Sequence, residues 1–313
     1  MHKIQKLPSD IIDQIAAGEV VDKPASIVKE LIENALDAGS TKVEVKVMRG
    51  GHDLIQISDN GCGIHKEELR SAFTRHATSK IKTINDLSKI STLGFRGEAL
   101  PSIASISKVS AISSMDNSEG YKLKIHGSEE VSFEPAARNK GSTFKVSQIF
   151  YNTPARRKFL KKPEIEQRSI NKVLRYFMLL RPDVAFLAMS NDKIIYNVHS
   201  QKLENRIYSI YGKSYKQNLL AIDMDKKPYK ITGYAGNLSL IKKRPSEQYL
   251  FLNGRYIANR FLNSAVYSAY QSLIKRGEYP FFILFLDIPL NLFDVNVHPA
   301  KLEVRRAKAK TDS

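Results

Sequence analysis

The sequence predicts an α/β protein of two domains. Three observations carry this. The chain has 313 residues, more than one typical domain. A helix-period apolar run at 24–38 leads directly into two alternating segments, 42–47 and 54–58. The second half shows a strand, a helix and an apolar strand at 248–253, 260–275 and 281–286, the β-α-β order of an α/β layer.

The elements follow in order. Ser9 and Asp10 precede Ile11, Ile12, Ile15 and Ala16, apolar residues three and four apart, which predicts a first helix. Pro24 opens a second, at a position where a missing N–H costs nothing. Its stripe is Ile27, Val28, Leu31, Ile32, Ala35 and Leu36, with Lys29 and Glu33 towards solvent, and Gly39 ends it. Two strands joined by the turn 49–53 come next. From 59 to 99 glycines, small polar residues and charges dominate, and a stretch of that texture predicts a lid over about 64–100. Strands are expected near 108–112, 121–126 and 143–146, then one basic helix from Arg156 to Arg175, then a hairpin at 184–189 and 193–198. The chain turns polar near Gln201, which divides it into domains 1–201 and 202–313.

Composition narrows the function classes. No run of ~18 apolar residues exists to span a membrane as a helix. The start, Met1 to Lys6, lacks the apolar core of a secretion signal. A single cysteine, Cys62, excludes an internal disulfide and a zinc-binding cysteine cluster. A cytosolic protein is the expectation. Lys plus Arg total 49 against 32 Asp plus Glu, a net +17. That surplus attracts polyanions, with nucleic acid first among them, although a generic basic surface has the same composition.

Five segments carry candidate chemistry. In 29–39, Glu30 and Asn34 are four apart and share the edge of the apolar stripe. There a carboxylate can take a proton from water and an amide oxygen can coordinate a hard cation. Taken alone, the spacing is far more often that of an ordinary amphipathic helix with boundary residues. Asp59-Asn60-Gly61-Cys62-Gly63-Ile64 follows a strand. Asp59 can accept from an amino group and the glycines free the backbone, although a plain turn reads the same way. Gly94-Phe95-Arg96-Gly97-Glu98-Ala99-Leu100 opens a helix whose free N–H groups suit an anion. Upstream, Arg75-His76-Ala77-Thr78-Ser79-Lys80 is small and polar. Asp294-Val295-Asn296-Val297-His298-Pro299-Ala300-Lys301 ends in a lysine able to reach a phosphate. No Walker P-loop is present, so a nucleotide would need another cradle.

Read together and in order, these segments, with 14–20 and Phe150-Tyr151-Asn152-Thr153-Pro154-Ala155-Arg156-Arg157-Lys158-Phe159, resemble the MutL family of DNA mismatch repair proteins across residues 4 to 306. The resemblance implies a two-layer α/β sandwich ATPase domain of the gyrase B and Hsp90 type, followed by a smaller domain like ribosomal protein S5. It implies ATP and Mg²⁺, with Glu30 as general base and Asn34 as metal ligand. Asp59, Gly61 and Gly63 would hold adenine, and Thr143 would lie at the base of the site. Ala77, Thr78, Ser79, Lys80 and the segment Gly94, Phe95, Arg96, Gly97, Glu98, Ala99 and Leu100 would cover the phosphates. Lys301 would reach the γ-phosphate from the second domain.

The same resemblance implies slow hydrolysis, an ATP-dependent N-terminal dimer and binding of single- or double-stranded DNA. Arg156, Arg157, Lys158, Arg255 and Arg260 are the candidate DNA contacts, against a merely solvated basic face. Partners would be the mismatch-recognition protein MutS and a downstream endonuclease or helicase, in a bacterial cytoplasm at the nucleoid. The chain is expected to be the N-terminal part of such a protein. Two other readings stay open at this point. One is a DNA-binding scaffold with a non-hydrolysing pocket. The other is a gyrase B or Hsp90 cousin, which would not be expected to keep 75–80 and 150–159 in these forms.

Overall fold

A computed structural model of the chain describes residues 17–78, 93–94, 97–117 and 119–289, with backbone alone at 293–294 and 305–306. The chain divides into two compact units, Met1–Phe177 with Asp183–Ser200, and Met178–Pro182 with Gln201–Ser313. The expected helix at 10–16 lies outside the described residues, as do Ser79, Lys80, Phe95, Arg96 and Lys301.

The first unit is built on helix α1 (Pro24–Asp37), which starts with its proline in the first turn. Ile27, Val28, Leu31, Ile32 and Leu36 are all buried on it. Each such side chain contributes about 1.5–3 kcal/mol, so this stripe anchors the helix. It packs on an eight-stranded sheet. The strands are β1 (Lys42–Met48), β2 (Leu54–Asp59), β3 (Lys108–Ser114), β4 (Gly120–His126), β5 (Glu129–Ala136), β6 (Gly141–Ser147), β7 (Ala185–Ser190) and β8 (Lys193–Val198). Their order is β5-β4-β3-β6-β2-β1-β7-β8. All pairs are antiparallel except β1 with β7.

The pleat explains the face. Val43, Val45 and Val47 of β1 are buried and oppose Asp59, Ile57 and Ile55 of β2. Residues between them are only half-buried. Such alternation marks a sheet covered by helices on one side. Short helices α2 (Lys66–Ser71), α3 (Ala99–Ser105) and α4 (Pro154–Lys158) and the long α5 (Pro163–Leu180) are further elements of the chain up to residue 180.

Three local departures from the sequence expectation have physical causes. The stretch after Asp59 contains α2, whose His65 side chain accepts from the Glu67 N–H as an N-cap. The expected single basic helix is two helices, α4 and α5. Pro163 opens the second, and a proline cannot continue a helix through that point. Strand β5 was not expected because its alternation is weak, with mostly exposed or half-buried residues, as befits the edge of a sheet.

The second unit contains helices α6 (Leu203–Tyr211) and α7 (Lys213–Lys216) and strands β9 (Leu219–Lys226) and β10 (Tyr229–Gly236). It continues with β11 (Gln248–Leu252), β12 (Arg255–Ile257), α8 (Arg260–Tyr270) and β13 (Phe282–Asp287). Its five-stranded sheet runs β12-β11-β13-β10-β9. Strands β11 and β13 pair in parallel, as a β-α-β crossover requires. Leu250, Leu252, Ile257, Phe282 and Leu284 form its core, with Leu262, Val266 and Tyr267 of α8 packed against them. The hairpin β9–β10 was not anticipated, because most of its residues remain exposed or half-buried and give no apolar signal.

Candidate active site

The site gathers at the C-terminal end of α1. Asp59 occupies the helix-facing register of β2, in step with Ile55 and Ile57, so the pleat carries a carboxylate where an apolar residue would be expected. Its Oδ1 accepts from the Gly61 N–H at 2.8 Å and from the Ser142 N–H at 3.3 Å. Burial pushes its carboxyl up, and the two backbone donors and the nearby Arg138 guanidinium partly offset that. A buried carboxylate held by backbone donors is an acceptor poised for an amino group.

The loop after Asp59 is fixed at both ends. Cys62 N–H donates to the Ala38 carbonyl at 2.9 Å, tying the loop to α1. Ile64 N–H donates to Ser113 Oγ at 2.8 Å, tying it to β3. Gly63 has φ +75°, and a Cβ there would lie 2.0 Å from the Ser114 carbonyl oxygen. Its freedom therefore serves the approach of loop to strand rather than only the approach of a ligand.

Glu30, Asn34 and Asp37 occupy one edge of α1, at spacings of four and three. Glu30 and Asn34 are half-buried. Asp37 accepts from the Leu93 N–H at 2.9 Å and the Gly94 N–H at 3.1 Å. Two N–H groups of the glycine segment thus already rest on an anionic oxygen pair. Gly97 has φ +63°, and a Cβ there would meet the Ala77 carbonyl oxygen at 2.4 Å. The segments around Ala77 and Gly97 are therefore in close contact. Thr78 is half-buried, and Glu98, Ala99 and Leu100 lead into or form the start of α3.

Lys29 and Glu33 correct the expectation that they point to solvent. Glu33 is 7% exposed. Lys29 Nζ lies 2.8 Å from Glu30 Oε1 and 3.0 Å from Glu33 Oε1. Burial would lower the lysine, and the two carboxylates overcome it, holding the ammonium above its ordinary range.

Thr143 requires a second correction. It pairs with Ser58 and Ile112, and its hydroxyl donates to Ser58 Oγ at 2.9 Å. Those partners stand on the sheet face opposite to Asp59. Ser142, one residue earlier, is on the Asp59 face, with its Oγ 2.8 Å from Ser113 Oγ. A shift of one residue along a strand reverses the face, so Ser142, and not Thr143, shares the face of Asp59.

Among the candidate DNA contacts, Arg156 turns inward. Its Nη2 donates to the Val21 carbonyl and its guanidinium lies 4.5 Å from the centre of the Phe150 ring. Arg157, Lys158 and Arg260 are exposed, and Arg255 is half-buried. The reading of sequence missed Asp37, Lys29 and Arg138. Arg138 Nη2 donates to the carbonyls of Asp59 at 2.8 Å and Ser142 at 2.6 Å, which fixes the end of β2 against β6. Asp37 had a signal, since it shares the helix edge of Glu30 and Asn34; Arg138 had none.

The residues present suit a magnesium nucleotide: an amide oxygen at Asn34 for the cation, a carboxylate at Glu30 on the same helix edge, and a buried acceptor at Asp59.

Comparison with known proteins agrees with this composition of parts. Residues 23–148 match the family model of the histidine kinase-, DNA gyrase B-, and HSP90-like ATPase. Residues 207–311 match that of the DNA mismatch repair protein, C-terminal domain. DNA mismatch repair protein MutL of Clostridium perfringens is 44% identical over 307 residues, 97% of this chain and 46% of its own length. That of Parabacteroides distasonis is 43% identical over 303 residues, 96% of this chain and 49% of its own. The chain thus spans about half the length of the curated relatives it matches. A crystal structure described as the N terminal domain of a DNA repair protein superposes with a TM-score of 0.81 at 25% identity, covering 94% of this chain and 92% of that one. The Aquifex aeolicus MutL ATPase domain complexed with ADP gives 0.65 at 25% identity, covering 86% and 93%.

Fold and site together define an ATPase domain of the gyrase B and Hsp90 type, joined to a mismatch-repair domain of the S5-like kind. The gyrase B and Hsp90 cousins are thereby set aside. The chain belongs to the MutL family of DNA mismatch repair proteins.

Proposed function

We propose that the chain is a MgATP-binding, slowly hydrolysing switch of DNA mismatch repair. One observation supports this reading: α1, the helix of Glu30 and Asn34, is hydrogen-bonded at its C-terminal end both to the Asp59 loop, through Ala38, and to residues 93 and 94, through Asp37. Asp59 receives the adenine amino group, with Ser142 beside it. The 77–80 and 94–100 segments enclose the phosphates, and Lys301 keeps the phosphate-binding role that its sequence motif implies. Asn34 would hold Mg²⁺, which would supply neutralisation of the charge developing on the phosphates. Glu30 takes the proton of a water that attacks the γ-phosphorus; the bond to the β-γ bridging oxygen breaks and its electron pair leaves with ADP. One base and few cations at the phosphates make turnover slow, which suits a switch.

In this reading ATP orders the 64–100 region and the N-terminal residues into a dimerising surface. The net +17 then serves DNA, single- or double-stranded, through Arg157, Lys158, Arg255 and Arg260. Arg156 is better employed in holding Val21. MutS and a downstream endonuclease or helicase are the expected partners, in the cytoplasm at the nucleoid. Among the described residues no helix is long and apolar enough to cross a membrane.

Single-turnover ATP hydrolysis by Glu30→Ala tests the reading, alongside nucleotide affinity. Retained binding with hydrolysis abolished is expected; intact hydrolysis would remove Glu30 as the base. Asn34→Ala should lose MgATP binding, and normal affinity there would remove the metal assignment. The charge favours a second reading, a DNA-binding scaffold whose pocket does not hydrolyse. Absent single-turnover hydrolysis by the unaltered chain would select it.

A further inference from the structure

Adjacent residues on a helix diverge by about 100°, so they do not ordinarily face each other. Lys29 and Glu30 nevertheless meet at 2.8 Å, Nζ to Oε1. The ordinary partner of Lys29 is Glu33, four residues on, and its two oxygens lie 3.0 and 3.1 Å from the same ammonium. Glu33 is the more buried carboxylate, with 9% of its side chain exposed against 22% for Glu30. The ammonium thus meets both oxygens of Glu33 and Oε1 of Glu30.

We propose that Lys29 is a positioning residue for Glu30, and that Glu33 is the anchor that holds the lysine in place to do it. This rests on the reading of Glu30 as the base. A glutamate at a helix edge samples several rotamers, and a base works only when its oxygen meets the attacking water. Restraint of Oε1 limits rotation of the carboxylate and so aims it. Without Glu33 the long lysine stem would follow its own rotamer preferences into water. Two carboxylates four and one residues from a single lysine therefore form a chain of control: Glu33 holds Lys29, and Lys29 aims Glu30.

The test is single-turnover ATP hydrolysis with MgATP affinity measured separately, on Lys29→Met, Lys29→Arg, Glu33→Gln, the double variant Lys29→Met/Glu33→Gln, and Glu30→Ala. Lys29→Met should lose roughly 10- to 100-fold in the hydrolysis rate at a MgATP affinity within about twofold, and Lys29→Arg should recover most of it. Glu33→Gln should slow hydrolysis and add nothing to Lys29→Met, since its effect on the base is transmitted through the lysine. If Glu30→Ala is inactive while Lys29→Met hydrolyses at the unaltered rate, the positioning role is overturned and the base assignment stands. If Glu30→Ala hydrolyses normally, the base assignment itself has failed. Additive losses in the double variant overturn the anchoring by Glu33. Should Lys29→Met not fold, Glu33→Gln decides: a slower rate at unchanged affinity supports the proposal, and an unchanged rate overturns it.

Discussion

Removing the Asp37 carboxylate probes how the glycine segment is held. Its two oxygens accept the N–H groups of Leu93 and Gly94 at 2.9 and 3.1 Å. Hydrogen bonds to a charged group contribute about 1.5–3 kcal/mol each when buried. Asp37 is half-buried, and the released N–H groups regain water, so the pair together contributes about 1–3 kcal/mol. That corresponds to a loss of roughly 5- to 150-fold in the ordered population of the segment. Asp37→Ala should therefore speed hydrogen exchange at residues 93 and 94. It should weaken MgATP affinity by a comparable factor, because the same segment must be re-ordered on binding. Asp37→Asn, which keeps an acceptor but not the charge, should fall between. Unchanged exchange at 93 and 94 together with wild-type affinity in Asp37→Ala would refute the claim that α1 holds this segment.

Further outcomes follow from single residues. Burial raises the Asp59 carboxyl, so the native state binds more protons than the unfolded chain just above about pH 4, and stability falls as pH rises through that interval. Asp59→Asn should flatten this slope and leave thermal stability at neutral pH equal or higher, while adenine-nucleotide affinity drops by ~10- to 100-fold; a less stable variant at neutral pH would contradict the desolvation argument. Gly63→Ala must place a Cβ 2.0 Å from the Ser114 carbonyl oxygen at φ +75°, which costs about 1–3 kcal/mol, read as a lower denaturant midpoint; an unchanged midpoint would disprove the strain. Arg206 is fully buried and donates to the carbonyls of Met178 and Pro182, both at 2.9 Å. Arg206→Met should cost the second unit about 3–6 kcal/mol, seen by calorimetry as an earlier transition, and an unshifted trace would count against that role.

The sequence by itself determined the α/β class, the helix that carries Glu30 and Asn34, and the family. These are local or ordered features: a 3.6-residue apolar period, a proline start, and motifs that keep their spacing along the chain. Strand β5 and the hairpin β9–β10 escaped because exposed strands bury too little to leave an alternation. Only the tertiary structure decided which face each strand residue takes. The register of β6 against β2 put Ser142, not Thr143, beside Asp59, because one residue of slip exchanges the faces of a sheet. It likewise turned Glu33 from a solvent residue into a buried partner of Lys29, drew Arg156 inward to Val21, and brought Arg138 to the back of Asp59 from 79 residues away. Burial, charge pairing and long-range hydrogen bonding depend on what the rest of the chain packs against a residue, and no local pattern encodes that.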